Sequence, residues 1–351
     1  MRIAIVGAGA IGGLLGVRLI QAGHTVTLID IGRHLQAIRE HGLGLIGTDG
    51  REILVHPHLA TASMAEAGPQ DLVILAVKSY TLPQIAPQLH QMVGAGTAVI
   101  SVQNGIPWWY FQKHGGVHEG RRIESIDPAG IITRHLDPER IIGCVVYPAA
   151  EISRPGVIRH IEGNRLPLGE LDGSETPRVT GLAGLLNEAG FKSFVLTDIR
   201  GEIWLKLLGN LSFNHICALT RATMVDVCRF EPTRELARRM MEEAETIANR
   251  LGVTLRLPIA KRIEGAEKVG AHRPSTLQDV LAGLPLELGP VITAVAELGR
   301  ITGVETPYTD AIHALVALLD RTVRQADEVS VIQPREGLET PAADKLRAAT
   351  H

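Results

Sequence analysis

Gly7-Ala8-Gly9-Ala10-Ile11-Gly12 restricts this chain more than any other feature: it is a G-x-G-x-x-G turn set between a β-branched run, Arg2–Val6, and a stretch of helical spacing, Ala10–Ala22. A second β-rich run, Thr25–Ile29, follows Gly23, so the opening is β-α-β. A glycine-rich turn alone is common and could be a mere strand–helix connection. Here it ends a strand and opens a helix, and Asp30 closes the next strand roughly 20 residues on, the spacing that brings a carboxylate to an adenosine ribose. Gly7 permits the tight turn, Gly9 lets backbone approach a pyrophosphate, and Gly12 lets helix and strand pack closely. With Ala8, Ala10 and Ile11 between them, the helix N-terminus offers free N–H groups to an anion. The expectation is a Rossmann-type unit that binds a nicotinamide dinucleotide.

Further apolar runs end in polar residues at Leu72–Val77 before Lys78 and at Ala98–Val102 before Gln103-Asn104. Continuous apolar strands alternating with helices predict a parallel sheet covered on both faces. Between 43 and 60, Thr48-Asp49-Gly50 predicts an inserted hairpin. From 141 to 170 short runs broken by Pro148, Pro155-Gly156 and Gly163-Asn164 read as antiparallel strands and turns. After about Thr197 the spacing turns helical, over Glu202–Leu219, Thr233–Leu251, Pro258–Val269, Leu284–Thr302 and Tyr308–Arg321. The fold class expected is α/β, a dinucleotide-binding domain over 1–197 followed by an all-α substrate and dimerisation domain over 198–325. The polar residues 326–351, with Pro334 and Pro341, are expected to form a flexible tail.

Several partner classes are excluded. Lys+Arg 35 against Asp+Glu 38 leaves no basic stripe for nucleic acid. No apolar run approaches the roughly 20 residues of a membrane helix. Met1-Arg2 runs straight into a strand, leaving no room for a signal peptide, and Cys144, Cys217 and Cys228 form no CxxC, so a cytoplasmic protein with reduced, buried thiols is expected. His56 and His58 lack a third ligand at useful spacing, so no metal is expected.

The second informative stretch is Trp204-Leu205-Lys206-Leu207-Leu208-Gly209-Asn210-Leu211-Ser212-Phe213-Asn214. Lys206, Asn210 and Asn214 stand at i, i+4, i+8, one nearly axial stripe on a helix otherwise apolar. Such a helix is buried on most sides, and a buried amine and two amides without partners would cost a few kcal/mol each. The stripe therefore faces a polar cleft, or solvent if the helix is an ordinary amphipathic one.

The glycine turn, Ala76-Val77-Lys78, Val102-Gln103-Asn104-Gly105, the Trp204-to-Asn214 pattern, and Ser275-Thr276-Leu277-Gln278-Asp279 leading to Glu287 together resemble the ketopantoate reductase family over about residues 1 to 320. The resemblance implies a Rossmann domain and a helical domain with the active site between them. It also implies reduction of a 2-oxo acid to a 2-hydroxy acid, a step of pantothenate biosynthesis. In that family the lysine matching Lys206 donates the proton, and residues matching Asn210, Asn214 and Ser275 hold substrate. Those matching Lys78, Asn104 and Ala150 contact cofactor, Asn104 also facing substrate, and the one matching Glu287 acts at the nicotinamide ribose or on the lysine. Independently of the resemblance, Glu287 could be a surface position and Ser275, after Pro274, only a helix N-cap.

Three departures stand out. The family carries an arginine for a 2′-phosphate just past the second strand, where this chain has Ile31 after Asp30, so NAD(H) is expected over NADP(H), with Arg33 close by as a counterweight. His272 replaces an asparagine near Ser275. Trp108-Trp109-Tyr110-Phe111 could wall a pocket larger than ketopantoate needs, or simply pack beneath a loop or at a subunit contact. The expected function is thus NAD(P)H-dependent reduction of a 2-dehydropantoate-like oxo acid with Lys206 as general acid and Glu287 beside it. Rival readings are a dehydrogenase of a bulkier or aromatic hydroxy acid, and a non-catalytic dinucleotide sensor. Apolar helices such as Leu284–Ala296 and Ala311–Leu319 suggest a homodimer.

Overall fold

The computed structural model describes residues 1–332. Its strands are β1 (Arg2–Val6), β2 (Thr25–Ile29), β3 (Leu43–Ile46), β4 (Glu52–Val55), β5 (Leu59–Thr61), β6 (Leu72–Leu75), β7 (Ala98–Ser101), β8 (Ile141–Cys144), β9 (Ala149–Arg154), β10 (Val157–Glu162) and β11 (Leu168–Glu170). Seven of them form one sheet in the order β11-β8-β7-β6-β1-β2-β5, parallel except for β11. Strand β1 pairs with β2 on one side, Ile3 opposite Val26, and with β6 on the other, Ile3 opposite Leu72. That is the switch point of a doubly wound sheet, and ligands bind beyond the carboxyl ends of its strands.

The expected hairpin is β3–β4, with Leu43 opposite Val55 and the turn closed by Gly47 N donating to Arg51 O. The antiparallel region divides. Strand β8 joins the main sheet parallel to β7, while β9 and β10 pair antiparallel. Strand β10 then lies parallel to β3, making a second sheet in the order β4-β3-β10-β9. This sheet covers the first helix, α1 (Ala10–Gln21), so closely that a Cβ on Gly13 would lie 2.6 Å from Ile158.

The major helices after α1 are α2 (Gly32–His41), α3 (Pro177–Glu188), α4 (Ile199–Gly209), α5 (His215–Thr220), α6 (Met224–Arg229), α7 (Glu231–Arg250), α8 (Ile259–Lys268), α9 (Ser275–Leu281), α10 (Ala294–Thr302) and α11 (Pro307–Ile332). Helix α7 buries Ala237, Met240, Met241, Ala244, Ile247 and Ala248, the i, i+3, i+4 rhythm of one face. One apolar core fills the space between α1, α3 and the two sheets, and a larger one runs from the opposite face of the main sheet into the helices.

Two boundaries differ from expectation. The predicted helix Leu284–Thr302 begins at a π-helical turn, Gly289–Thr293, and residues 284–288 are not helical. Gly283 at φ +71° and Pro285 break the start, and the Leu286 amide donates to Asp320 instead. The expected tail also begins too early, because α11 continues through Ile332, with no proline before Pro334 to stop it. The remainder of that tail lies outside the described residues.

Candidate active site

The three glycines of the opening turn serve different ends. Gly7 adopts φ +94°, and a Cβ there would lie 2.8 Å from Val77 N; one on Gly12 would lie 1.8 Å from Gly7 O. Those two are demanded by the protein itself. A Cβ on Gly9 meets nothing within 4 Å. Open space thus stands in front of the first turn of α1, whose amides have no intrahelical acceptors and whose cap residue, Gly9, has no side chain. The unobstructed approach at Gly9 and those donors fit a pyrophosphate. His34 steadies the turn: Gly156 N donates to its Nδ1 at 3.1 Å, so the proton is on Nε2, which donates to Ala8 O at 3.0 Å.

Asp30 directly follows β2, and its Oδ1 accepts from Ile31 N at 2.7 Å. Ile31 is 75% exposed beside it. Ala150 lies on β9 opposite His160 and packs toward the core around α1.

Helix α4 carries Lys206 to the carboxyl edge of the main sheet. Its Nζ donates to Asn104 Oδ1 at 2.6 Å and to the carbonyl of Val146. Asn104 follows β7 and Val146 follows β8, so the ammonium joins two strand ends to a helix of the other half of the molecule. Burial pulls the Lys206 pKa down to about 8, against the opposing pull of Cys144 and Glu287. A small pocket at this point is lined by Gln103, Asn104, Trp109, Cys144, Val146 and Lys206, among others. Gln103, one of the lining residues, is fixed by donating to Leu75 O at 2.9 Å and accepting from Ser101.

Residues 3–173 match the family model described as ketopantoate reductase PanE/ApbA, and residues 198–320 match the model for its C-terminal part. The chain belongs to the ketopantoate reductase family. A curated 2-dehydropantoate 2-reductase of Mesorhizobium japonicum is 47% identical, the match covering 91% of this chain and 98% of that one. A solved structure from Ralstonia solanacearum MolK2 named for ketopantoate reductase superposes with a TM-score of 0.87 at 36% identity, over 92% of this chain and 98% of that one. A D-mandelate dehydrogenase solved with NADH and anilino(oxo)acetate gives 0.79 at 25% identity, over 92% and 99%. The chain is therefore an oxidoreductase of this family, and a pyridine nucleotide is its cofactor.

Within the family's frame, the remaining residues fall into two groups around Lys206. Lys78, just past β6, lies 3.1 Å from Asp279 Oδ2 and 3.2 Å from Glu287 Oε2, while Ser79 N donates to Glu287 Oε1 at 2.9 Å. Burial works to lower the Lys78 pKa, but Glu287 and Asp279 outweigh it and the net shift is upward. Glu287 thus engages Lys78, and it acts on Lys206 only at a distance. It can reach there because residues 284–288 are not helical.

The stripe is present but not axial throughout. Asn210–Asn214 form a π-helical turn, which widens the helix just where both amides stand. Asn210 is half-buried and Asn214 buried. Helix α9 packs against this turn and begins at Ser275, which is exposed. The N-cap of α9 is Pro274, so Ser275 is the first helical residue and does not cap through its side chain. His272 offers its backbone carbonyl to Met224 N at 2.9 Å.

Sequence reading missed one member of the stripe, Glu202, which precedes Lys206 by one turn and extends the same spacing backward. Its buried carboxylate accepts from Tyr147 Oη at 2.6 Å, from Arg165 Nη2 at 3.2 Å and from Arg256. The aromatic run is core packing: Trp108, Trp109, Tyr110 and Phe111 are all buried. Trp204 Nε1 donates to Tyr110 Oη at 2.7 Å, and Arg200 donates to the carbonyls of Tyr110, Leu171 and Gln112. Trp109 alone also reaches the pocket wall. All three cysteines are free and buried. Among the described residues no helix is long and apolar enough to cross a membrane.

Proposed function

We propose that this chain reduces a 2-oxo acid of the 2-dehydropantoate kind to the 2-hydroxy acid, with Lys206 as general acid. The observation that carries the reading is the desolvated Lys206 ammonium at the strand edge. An ammonium has three N–H donors. Two are taken by Asn104 Oδ1 and Val146 O, which leaves the third for a ligand. A bound dinucleotide supplies the hydride. As negative charge grows on the ketone oxygen, the ammonium stabilises it and then transfers its proton there. Asn210, Asn214 and Ser275 orient the substrate, the amides binding oxygens without adding charge. The chain's 47% identity to a 2-dehydropantoate 2-reductase supports this choice and the step in pantothenate biosynthesis that goes with it.

Gly7 to Gly12, Asp30, Lys78, Asn104 and Ala150 hold the cofactor in this reading, and Glu287 acts at the nicotinamide ribose once Lys78 turns to the cofactor. Asp30 with the uncharged Ile31 supports NAD(H) over NADP(H), since a carboxylate accepts from a free 2′-hydroxyl and repels a phosphate. The likeness to a D-mandelate dehydrogenase, with Trp109 at the pocket wall, supports a second reading in which the oxo acid is aromatic. A panel of oxo acids followed by NADH absorbance tests both. Preference for 2-dehydropantoate supports the first reading, preference for aryl oxo acids the second, and inactivity on all would leave the sensor reading. The free cysteines support a reducing, cytoplasmic setting, and the exposed Leu315 and Leu318 on α11 support a homodimer, which sedimentation velocity tests.

A further inference from the structure

Arg262 is a half-buried cation of the helical half whose guanidinium has no acceptor among the described residues. It stands on α8, and its guanidinium occupies the flank of Gly209. A Cβ built on Gly209 would lie 2.1 Å from Arg262 Nη2 and 3.0 Å from Cζ. Gly209 is one helical turn past Lys206 and adjoins Asn210. The neighbouring cations are spent. Arg165 and Arg256 both sit on Glu202, which the Tyr147 hydroxyl also engages. Arg262 gains no such bond. Burial pulls its pKa below the ordinary arginine value, and the nearby Tyr147 and Cys228 only partly oppose this. Half-buried and without a protein acceptor, the guanidinium keeps its N–H donors available to a group from outside.

The position indicates what that is. The Tyr147 ring centroid is 5.9 Å from Lys206 Nζ, and Tyr147 is also in electrostatic reach of Arg262. Through its contact with Gly209, Arg262 flanks the helix three residues beyond Lys206 and beside Asn210, away from the reacting end. The geometry points to Arg262 as a specificity residue that donates to an oxygen on the tail of the substrate, the end remote from the ketone. This rests on the oxo acid reading above and deepens it: the substrates preferred carry a polar tail, a hydroxyl or a carboxylate, and not a hydrocarbon one. Gly209 is required because any side chain there displaces the guanidinium.

The test compares kcat/KM for three acids: 2-dehydropantoate, with a tail hydroxyl; 2-oxoglutarate, with a tail carboxylate; and 3-methyl-2-oxobutanoate, which is the first without its hydroxymethyl group. The native enzyme should favour one or both polar tails. Arg262→Met should lower the polar-to-hydrocarbon ratio by about 10- to 100-fold, the effect of losing a charge-assisted hydrogen bond. Gly209→Ala keeps the arginine and a helical backbone, and should lower the same ratio; Arg262→Lys should restore part of it. An unchanged ratio in both Arg262→Met and Gly209→Ala, whether or not overall rates fall, overturns the assignment. If the native enzyme reduces none of the three, the oxo acid reading fails along with it, an outcome distinct from turnover with an unchanged ratio. NADH binding and circular dichroism of each variant separate misfolding from lost selectivity, and Gly209→Ala and Arg262→Lys carry the test if Arg262→Met does not fold.

Discussion

The Lys206 ammonium donates to Asn104 Oδ1 at 2.6 Å, a bond that ties the helical half of the molecule to the loop after β7. If Lys206 delivers the proton, Lys206→Ala should lower turnover by about 10²- to 10⁴-fold while NADH binding, read by fluorescence titration, stays within a few-fold of native. Asn104→Ala removes one of two anchors and should cost about 10-fold or more in kcat, since a misplaced acid is a poor one. Near-normal turnover of Lys206→Ala would remove the residue from the mechanism.

The lowered Lys206 pKa has a sign that can be followed in both directions of the reaction. Below about 8 the amine holds its proton, and above it the proton is lost. Ketone reduction should therefore be level at lower pH and fall about tenfold per unit above 8, whereas oxidation of the hydroxy acid should rise through the same point. Stability follows the same equilibrium. In the unfolded chain the lysine keeps its ordinary, higher pKa, so burying the ammonium penalises the fold below about 8 and the penalty fades as pH rises toward the unfolded value. Lys206→Met should be the more stable protein at pH 7, by thermal melting, with the advantage shrinking by pH 10. A pH profile without a break between 7 and 9 would contradict this.

Lys78 holds Asp279 and Glu287 together across the cleft. Without it two carboxylates face each other half-buried. Burial already raises the Asp279 pKa, and Lys78 is what opposes that rise. Lys78→Met should cost about 1 to 3 kcal/mol at pH 7, a fall in Tm of a few degrees, and the loss should shrink as the pH falls and the raised Asp279 carboxyl takes up its proton. A loss independent of pH would mean that the lysine acts through packing alone.

What was legible in the sequence was local. The glycine turn, Asp30 and the lysine–asparagine stripe declare themselves through spacing within one strand or one helix; the structure puts the turn between β1 and α1, Asp30 just past β2, and the stripe on a helix that widens into a π-helical turn at its asparagines. What was hidden depends on contacts between distant segments. Nothing near Leu43 announces that its strand will pair with Val157–Glu162. Glu202 could have been added to the stripe from its position four residues before Lys206, but its partners, Arg165 and Arg256, lie 37 and 54 residues away. Glu287 falls inside the Leu284–Thr302 run of helical spacing, where Gly283 and Pro285 carry the contrary signal.

Asp30 and Ile31 give a direct handle on the dinucleotide. One Asp30 oxygen is committed to the Ile31 amide, and the remaining one suits a ribose hydroxyl. Ile31→Arg together with Asp30→Ser should move the NADPH-to-NADH ratio of kcat/KM by at least 10-fold toward NADPH, because it removes a repulsive charge and adds a guanidinium. If the native enzyme already prefers NADPH strongly, the assignment of Asp30 fails at once.

The turn itself separates two kinds of necessity that a pattern of glycines cannot. Gly12→Ala would place a methyl group 1.8 Å from the Gly7 carbonyl oxygen, part of a backbone pinned by Gly7 N donating to Ile29 O at 2.8 Å. Neither side can give way cheaply, so that variant should be strongly destabilised, by about 3 kcal/mol or more. Gly9→Ala meets no atom within 4 Å, and its backbone, at φ −61°, is one that alanine tolerates. Its melting temperature should match the native protein to within a degree or two. The added methyl group would stand in the space left for the pyrophosphate, so the KM for the dinucleotide should rise by about 10-fold or more with little change in the KM for the oxo acid. Equal melting of the two variants, or unchanged cofactor affinity in Gly9→Ala, would show that the open space before α1 is not where the phosphates lie.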